Sequence, residues 1–475
     1  MLTVLGHPQQ ICTGWTRRQL LQVGGAGLFG LSLPRVLAAE TAQPAPKARA
    51  KSVMFLYLFG GPSQLDTFDM KPDAPSGIRG PFRPIASRTP GLRICEHLPR
   101  LAQASDQFCV IRSMTHRHND HNACHYIQTG HPFPRVAASG NDVNATDKDW
   151  PAIGSVLEYL DQRQPGRRRD FPSYVYLPNR LGHLQGYDRT GQYGGWLGRA
   201  YNALATDIQK RAAHDNPYFR PCTDDELDFR IKGLATDAAL TLDRLDRRRG
   251  LLEQFETQRR EFSNGKTATH DRIRQRALDL VLSEKIRTAL DIRREPSRLR
   301  DQYGRHLFGQ ATLMGRRMIE AGARFVTVAW DAPDGYSWDS HRDSQDVKKH
   351  LLPGLDQALS ALLGDLKDRG LLDETLVVCL GEMGRTPKGN ARWGRDHWSY
   401  CFPVLLAGAG VRGGIVYGRS DKDAGYPVEQ PVSPEDIACT IFDALGIDPH
   451  GFIYDKQNRP VGLMDGGRPL RDLFA

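Results

Sequence analysis

Cysteine is scarce in this chain, and none of it is paired in a motif. Eight cysteines are spread over 475 residues and no two are spaced Cys-x-x-Cys, which excludes a zinc knuckle or a thioredoxin-type redox motif. Cys12 falls in the N-terminal leader. The remaining seven, Cys95, Cys109, Cys124, Cys222, Cys379, Cys401 and Cys439, are an odd number. That excludes a complete disulfide framework and leaves room for one or two bridges. Past the leader no apolar run is long enough to cross a bilayer, so no stable membrane span is expected after processing. Concentrated positive charge is also missing. The formal charge is +9, the arginines are scattered, and no nucleic-acid-binding module is recognisable. Nucleic acid is therefore excluded as a partner, whereas an anionic substrate fits this balance. There is no internal repeat.

The N-terminus is organised for export. Thr16-Arg-Arg-Gln-Leu-Leu21 is a twin-arginine signal, followed by an apolar stretch from Val23 to Leu33 and small residues at Ala38-Ala39. Residues 1–39 are thus expected to be a cleavable leader handed to the twin-arginine translocase, giving a periplasmic or secreted product. Residues 40–51 read as a linker.

Apolar runs place the strands. Ser52 to Phe59, Phe108 to Arg112, Ser173 to Leu177, Arg324 to Trp330, Thr375 to Leu380 and Pro403 to Ala407 are short and continuous, as expected of strands covered on both faces. Helical spacing dominates residues 236–322, with Gly322 as a C-cap. It returns from Leu351 to Arg369. Ser433-Pro-Glu-Asp436 reads as a capping box with proline at the first helical position, opening a helix to Leu445. Strands alternating with helices predict an α/β domain with a mostly parallel sheet. A domain boundary near 236 competes with this. Candidate site residues fall on both sides of it, which favours a single domain over 52–475 with a helical insertion at about 236–322.

The chemistry-bearing residues follow strand ends, where α/β sheets collect their sites. Glu382, Arg385, Asp396 and His397 occupy the glycine-rich loop Gly381 to Trp398 after the Thr375 strand. Asp331, Asp334, Asp339 and His341 follow the Arg324 strand. In Asp339-x-His341 the alternation of an extended backbone puts both side chains on one side. Mixed carboxylate and imidazole donors suit zinc, manganese or iron, while calcium and magnesium prefer oxygen alone. Asp66 and Asp69 follow the first strand. His116, His118, His121 and His125 crowd ten residues beside Asp120. His121 and His125 are one helical turn apart and are expected to face one site. A plain turn with surface charges is the competing reading of the Glu382 loop, and surface or capping histidines that of the cluster.

Gly60-Gly-Pro-Ser-Gln-Leu-Asp-Thr-Phe-Asp69, Arg112-Ser-Met-Thr-His116, Trp338-Asp-Ser-His341, Gly381-Glu-Met-Gly-Arg-Thr-Pro387 and Gly394-Arg-Asp-His-Trp398 together resemble the family catalogued as domain of unknown function 1501. That family is twin-arginine-exported and sulfatase-like, and itself resembles a distant branch of the alkaline phosphatase and sulfatase superfamily. The resemblance implies an alkaline-phosphatase-like three-layer α/β sandwich with a divalent metal, Zn, Mn or Ca, at the strand ends. It implies Asp66, Asp339, His341, Glu382 and His397 as ligands, with Asp69 as the alternative to Asp66. One departure stands out. The superfamily carries a serine, threonine or formylglycine nucleophile a short distance before a Thr-Gly pair. Thr129-Gly130 supplies the pair here, but the matching place is Asp120-His121, and the Cys-x-Pro-x-Arg signature is absent.

Three functions follow as expectations. The first is an exported metal-dependent hydrolase of phosphate or sulfate esters, acting on an anionic small molecule or glycan. Its catalytic residues would be His121 and Asp120, with Arg385 steadying the anion. The second is a catalytically inactive binding protein for sulfated or phosphorylated ligands. The third is a structural component of the cell envelope.

Overall fold

Six apolar runs of the sequence become neighbours in one twisted sheet. The computed structural model describes residues 46–133, 142–164, 171–231, 283–331 and 337–475. The expected leader over 1–39, half of the expected linker (40–45), Asp334 and the stretch 236–282 expected to be helical lie outside these residues. The sheet strands are β1 (Ser52–Leu58), β2 (Phe108–Met114), β3 (Tyr174–Leu177), β4 (Leu204–Asp207), β5 (Arg230–Ile231), β6 (Phe325–Trp330), β7 (Thr375–Leu380), β8 (Phe402–Ala407) and β9 (Ile415–Tyr417). Their order is β9-β2-β8-β7-β1-β6-β3-β4-β5. β8 runs antiparallel to both β2 and β7, and β5 runs antiparallel to β4. The other seven strands point the same way, so the sheet is mostly parallel as expected.

Side-chain alternation sends each strand into two cores. Met54, Leu56 and Leu58 of β1 join one core with α3 (Leu307–Ala321) and α4 (Leu352–Asp368). Val53, Phe55 and Tyr57 join the other with α1 (Ala123–Thr129), α2 (Ile153–Arg163) and α5 (Pro434–Ala444). The result is a three-layer sandwich, which explains why the strands carry no polar face. In the described part of the stretch expected to be helical, α3 is a sheet-covering helix.

Local signals act where the sequence places them. The Ser433–Asp436 capping box forms, with proline in the first turn of α5. Gly322 ends α3 at φ 112°. Among the described residues no disulfide forms; the seven cysteines from Cys95 to Cys439 are all free and buried, so the bridges allowed by the sequence are absent there.

The sheet positions the site through its register. Tyr57 stands level with Leu380, and Leu58 with Trp330. The loops after β1, β6 and β7 therefore leave the same edge together. They meet at glycines. A Cβ on Gly60 (φ +104°) would lie 2.3 Å from the Asp339 nitrogen, and one on Gly61 (φ +83°) 2.4 Å from the Met383 oxygen. Gly60→Ala is expected to displace the Asp339 loop and to lower the midpoint of urea denaturation, by about 1–3 kcal/mol for the forced backbone alone. An unchanged midpoint would show that the two loops need not meet there.

Candidate metal centre

Glu382 is fully buried at the end of β7, where a carboxylate needs donors. It finds three. The Gly60 amide donates to Oε1 at 2.8 Å, the Tyr57 hydroxyl donates to Oε2 at 3.2 Å, and His121 Nδ1 lies 2.8 Å from Oε1. His121 precedes α1 and packs its ring on Phe59, with centroids 4.9 Å apart. With Nδ1 held by Glu382, Nε2 points at Asp339 Oδ2, 3.2 Å away. His397 is arranged the same way. Its Nδ1 is 3.3 Å from the Asn119 carbonyl and its Nε2 3.2 Å from Asp339 Oδ1. His341 Nε2 lies 3.0 Å from Asp339 Oδ1, and its Nδ1 2.8 Å from Asp396.

Asp339 is thus ringed by three imidazole Nε2 atoms, and Arg385 Nη2 donates to it at 2.6 Å. Burial disfavours its charge. The hydrogen bonds from His121, His341 and His397 and the field of Arg385 outweigh that and hold its carboxyl well below the usual carboxylate range. Burial also opposes a charged His121, yet Asp339 and Glu382 hold its imidazolium up at about 9. The hydrogen bond to Asp339 likewise raises His341. The rings gathered around this one carboxylate draw on its negative charge, and a cation bound among them would draw on the same charge.

The donors fit that substitution. One ligand atom from each of His121, Asp339 and His397 falls within 4.8 Å of the others. Both rings have Nδ1 fixed by an oxygen, which leaves Nε2 as the donor atom; metal-bound histidines are oriented in this way. Two nitrogens and one carboxylate match zinc or manganese better than calcium. His341, with its side chain 38 % exposed, stands at the rim.

Several candidates from the sequence occupy other places. Glu382 backs His121 and does not belong to the compact donor set, because the buried donors Tyr57 and Gly60 claim its second oxygen. Asp66 pairs with buried Arg395, Nε to Oδ2 at 3.0 Å. Asp69 takes Lys71 and Arg112, at 3.0 and 3.3 Å. Asp120 caps the turn at the Asn122 amide, at 2.8 Å. Arg385 is fully buried and also donates to the carbonyls of Gly60, Gly61 and Arg395. Its guanidinium is held by protein acceptors at each nitrogen. His125 turns away from His121 to Thr190, Nδ1 to Oγ1 at 2.8 Å, because His121 lies before the helix begins. His116 binds the Glu382 carbonyl through Nε2 at 2.7 Å, and burial pushes it down to about 4. Tyr57 was hidden from sequence reasoning inside an apolar strand. Asn119 carried no signal beyond its place beside the histidines.

Comparison with curated proteins returns no match. Three solved structures are similar at low identity. The lipoteichoic acid synthase LtaP from Listeria monocytogenes is 9% identical, over 88% of this chain and 79% of that one, with a TM-score of 0.37. The phosphonate monoester hydrolase SpPMH from Silicibacter pomeroyi is 12% identical, over 79% and 71%, at 0.35. The PsFucS1 sulfatase from Pseudoalteromonas sp. is 11% identical, over 90% and 72%, at 0.35. Residues 50–474 match the family described as Protein of unknown function (DUF1501), and with most of the chain aligned, the protein belongs to that family.

Proposed function

We propose that this protein is an exported, metal-dependent hydrolase of phosphate or sulfate esters. The carrying observation is the convergence of His121, Asp339 and His397, one ligand atom each within 4.8 Å, with Glu382 fixing one ring and the Asn119 carbonyl the other. These three hold the ion, and His341 is the fourth donor at the rim. A bound divalent ion would polarise the ester oxygen and lower the pKa of a water. Arg385 keeps Asp339 charged and in place, and Glu382 keeps His121 Nδ1 protonated and Nε2 free. With Asp120-His121 where the superfamily carries its nucleophile, attack falls to water. Export rests on Thr16-Arg-Arg-Gln-Leu-Leu21, and the basic balance of the chain suits an anionic substrate.

That same missing hydroxyl or thiol favours a second reading, an inactive binding protein for sulfated or phosphorylated ligands. Metal analysis by plasma mass spectrometry, with 4-nitrophenyl phosphate and 4-nitrophenyl sulfate as substrates, separates the two. Near-stoichiometric metal and turnover of either ester are the expected outcome. Metal without turnover moves the assignment to the binding protein, and a folded, metal-free parent overturns the hydrolase and leaves a binding or structural role.

A further inference from the structure

A groove of about 400 Å³ lies beside the centre, lined by Phe82 and His97 on one wall and by Asp343, Lys348, Arg392 and Trp393 on the other. Its size suits a small ligand or one residue of a chain. The second wall is built from the segments that carry the centre. Asp343 is two residues past His341, and Trp393 is four before His397. The Asn390 amide side chain donates to the His341 carbonyl at 2.9 Å, and a Cβ on Gly394 would lie 2.1 Å from that same oxygen.

The backbone of this wall is unusual in two places. Trp393 has φ 64°, a conformation that costs free energy in any bulky residue. It is held there by local ties. The Asn390 side chain accepts from the Arg392 and Gly394 amides, both at 2.9 Å, and the Trp393 amide donates to the Asn390 carbonyl at 3.0 Å. Lys348 sits in a π-helical turn, Val347–Leu351, at the start of α4; such turns are rare outside functional sites. Strain maintained to present an indole and an ammonium in one groove points to a ligand.

The chemistry of the lining says which. Trp393 offers an apolar face, and buried Phe82 adds apolar surface on the facing wall. Arg392, with its side chain 69 % exposed and its Nη2 3.9 Å from Asp343 Oδ2, and Lys348 supply positive charge at the mouth, alongside the carboxylates of Asp343 and Glu96 that also line the groove. Asp343 accepts hydroxyl hydrogens. A ring with an apolar face, hydroxyl groups and an anionic substituent satisfies all of these together. We propose that this groove is a subsite for one residue of an acidic glycan, stacked on Trp393 with its sulfate or phosphate group on Arg392 and Lys348. The inference rests on the hydrolase reading and names the substrate class of that same site.

Calorimetry tests it on the leader-free protein, with sulfated tetrasaccharides of chondroitin, heparan and carrageenan type, their desulfated counterparts, mannose 6-phosphate and inorganic sulfate. Binding of a sulfated tetrasaccharide or of the phosphosugar is expected. Trp393→Ala should weaken it by about tenfold or more and Arg392→Gln by about three- to tenfold, with metal content unchanged in both. Arg392 is exposed, so its variant keeps the test alive if Trp393→Ala fails to fold. No binding by any acidic sugar, binding of inorganic sulfate alone, or binding that both substitutions leave intact overturns the subsite. Metal content and generic ester turnover in the parent report on the hydrolase reading separately, so a failed groove and a failed centre give different patterns.

Discussion

His121→Ala should bring bound metal down to background while the protein stays folded. The variant removes the donor atom and also frees Glu382 from the histidine it orients. Its side chain is 16 % exposed and meets the core only at Phe59, so the fold is expected to survive the loss, which the urea midpoint of the metal-free variant checks. Glu382→Gln is the graded control. It keeps the shape of the side chain and its bonds to Gly60 and Tyr57 but removes the charge behind His121 Nδ1. Outer-sphere carboxylates of this kind contribute about 10–100-fold to metal affinity, so Glu382→Gln should weaken binding within that range while His121→Ala exceeds it. Competition with a chromogenic chelator reads both. If the two variants bind metal as tightly as the parent, the ion is held elsewhere and the His121, Asp339 and His397 grouping has no such role. If Glu382→Gln is as damaging as His121→Ala, Glu382 is itself a ligand, as the family resemblance implies.

Arg385→Met should cost the fold more than any substitution among the rim residues. The guanidinium is completely buried, and its loss leaves Asp339 without its cation and the Gly60, Gly61 and Arg395 carbonyls without a donor. Removing one partner of a buried ion pair costs about 3–5 kcal/mol, which urea denaturation of the metal-free protein should detect as a lower midpoint. Bound metal should restore part of that stability by binding the folded state alone. A guanidinium that served chiefly to hold a substrate anion would behave oppositely. Its loss would raise KM for a charged ester and leave the denaturation midpoint where it was.

The contrast between Arg385 and His397 marks how far the residues could be read in advance. Both lie in the loop after the Thr375 strand, and both were legible as candidates because the apolar run and the glycines after it announce a strand end. Only one of them reaches the centre. Spacing along the chain says which edge of the sheet a side chain leaves from. It says nothing of where the side chain goes, which depends on partners distant in the chain, Gly60 (325 positions) and Asp339 (46 positions) for Arg385 and Asn119 (278 positions) for His397. Asp66 shows the same thing. As a carboxylate after β1 it fits a ligand pattern, yet buried Arg395, 329 positions along, pairs with it first.

By itself the sequence determined the strands, their burial on both faces, the capped start of α5 and the edge of the sheet where charged side chains gather. These follow from periodicity and local capping, which act within a few residues. Tertiary structure alone decided the division of labour at that edge: His121 and not His125 at the centre, Glu382 behind a ring, Arg385 turned inward, and each of the seven described cysteines unpaired. A buried charge must find its counter-charge wherever the fold brings one, and that choice is made only when distant loops meet.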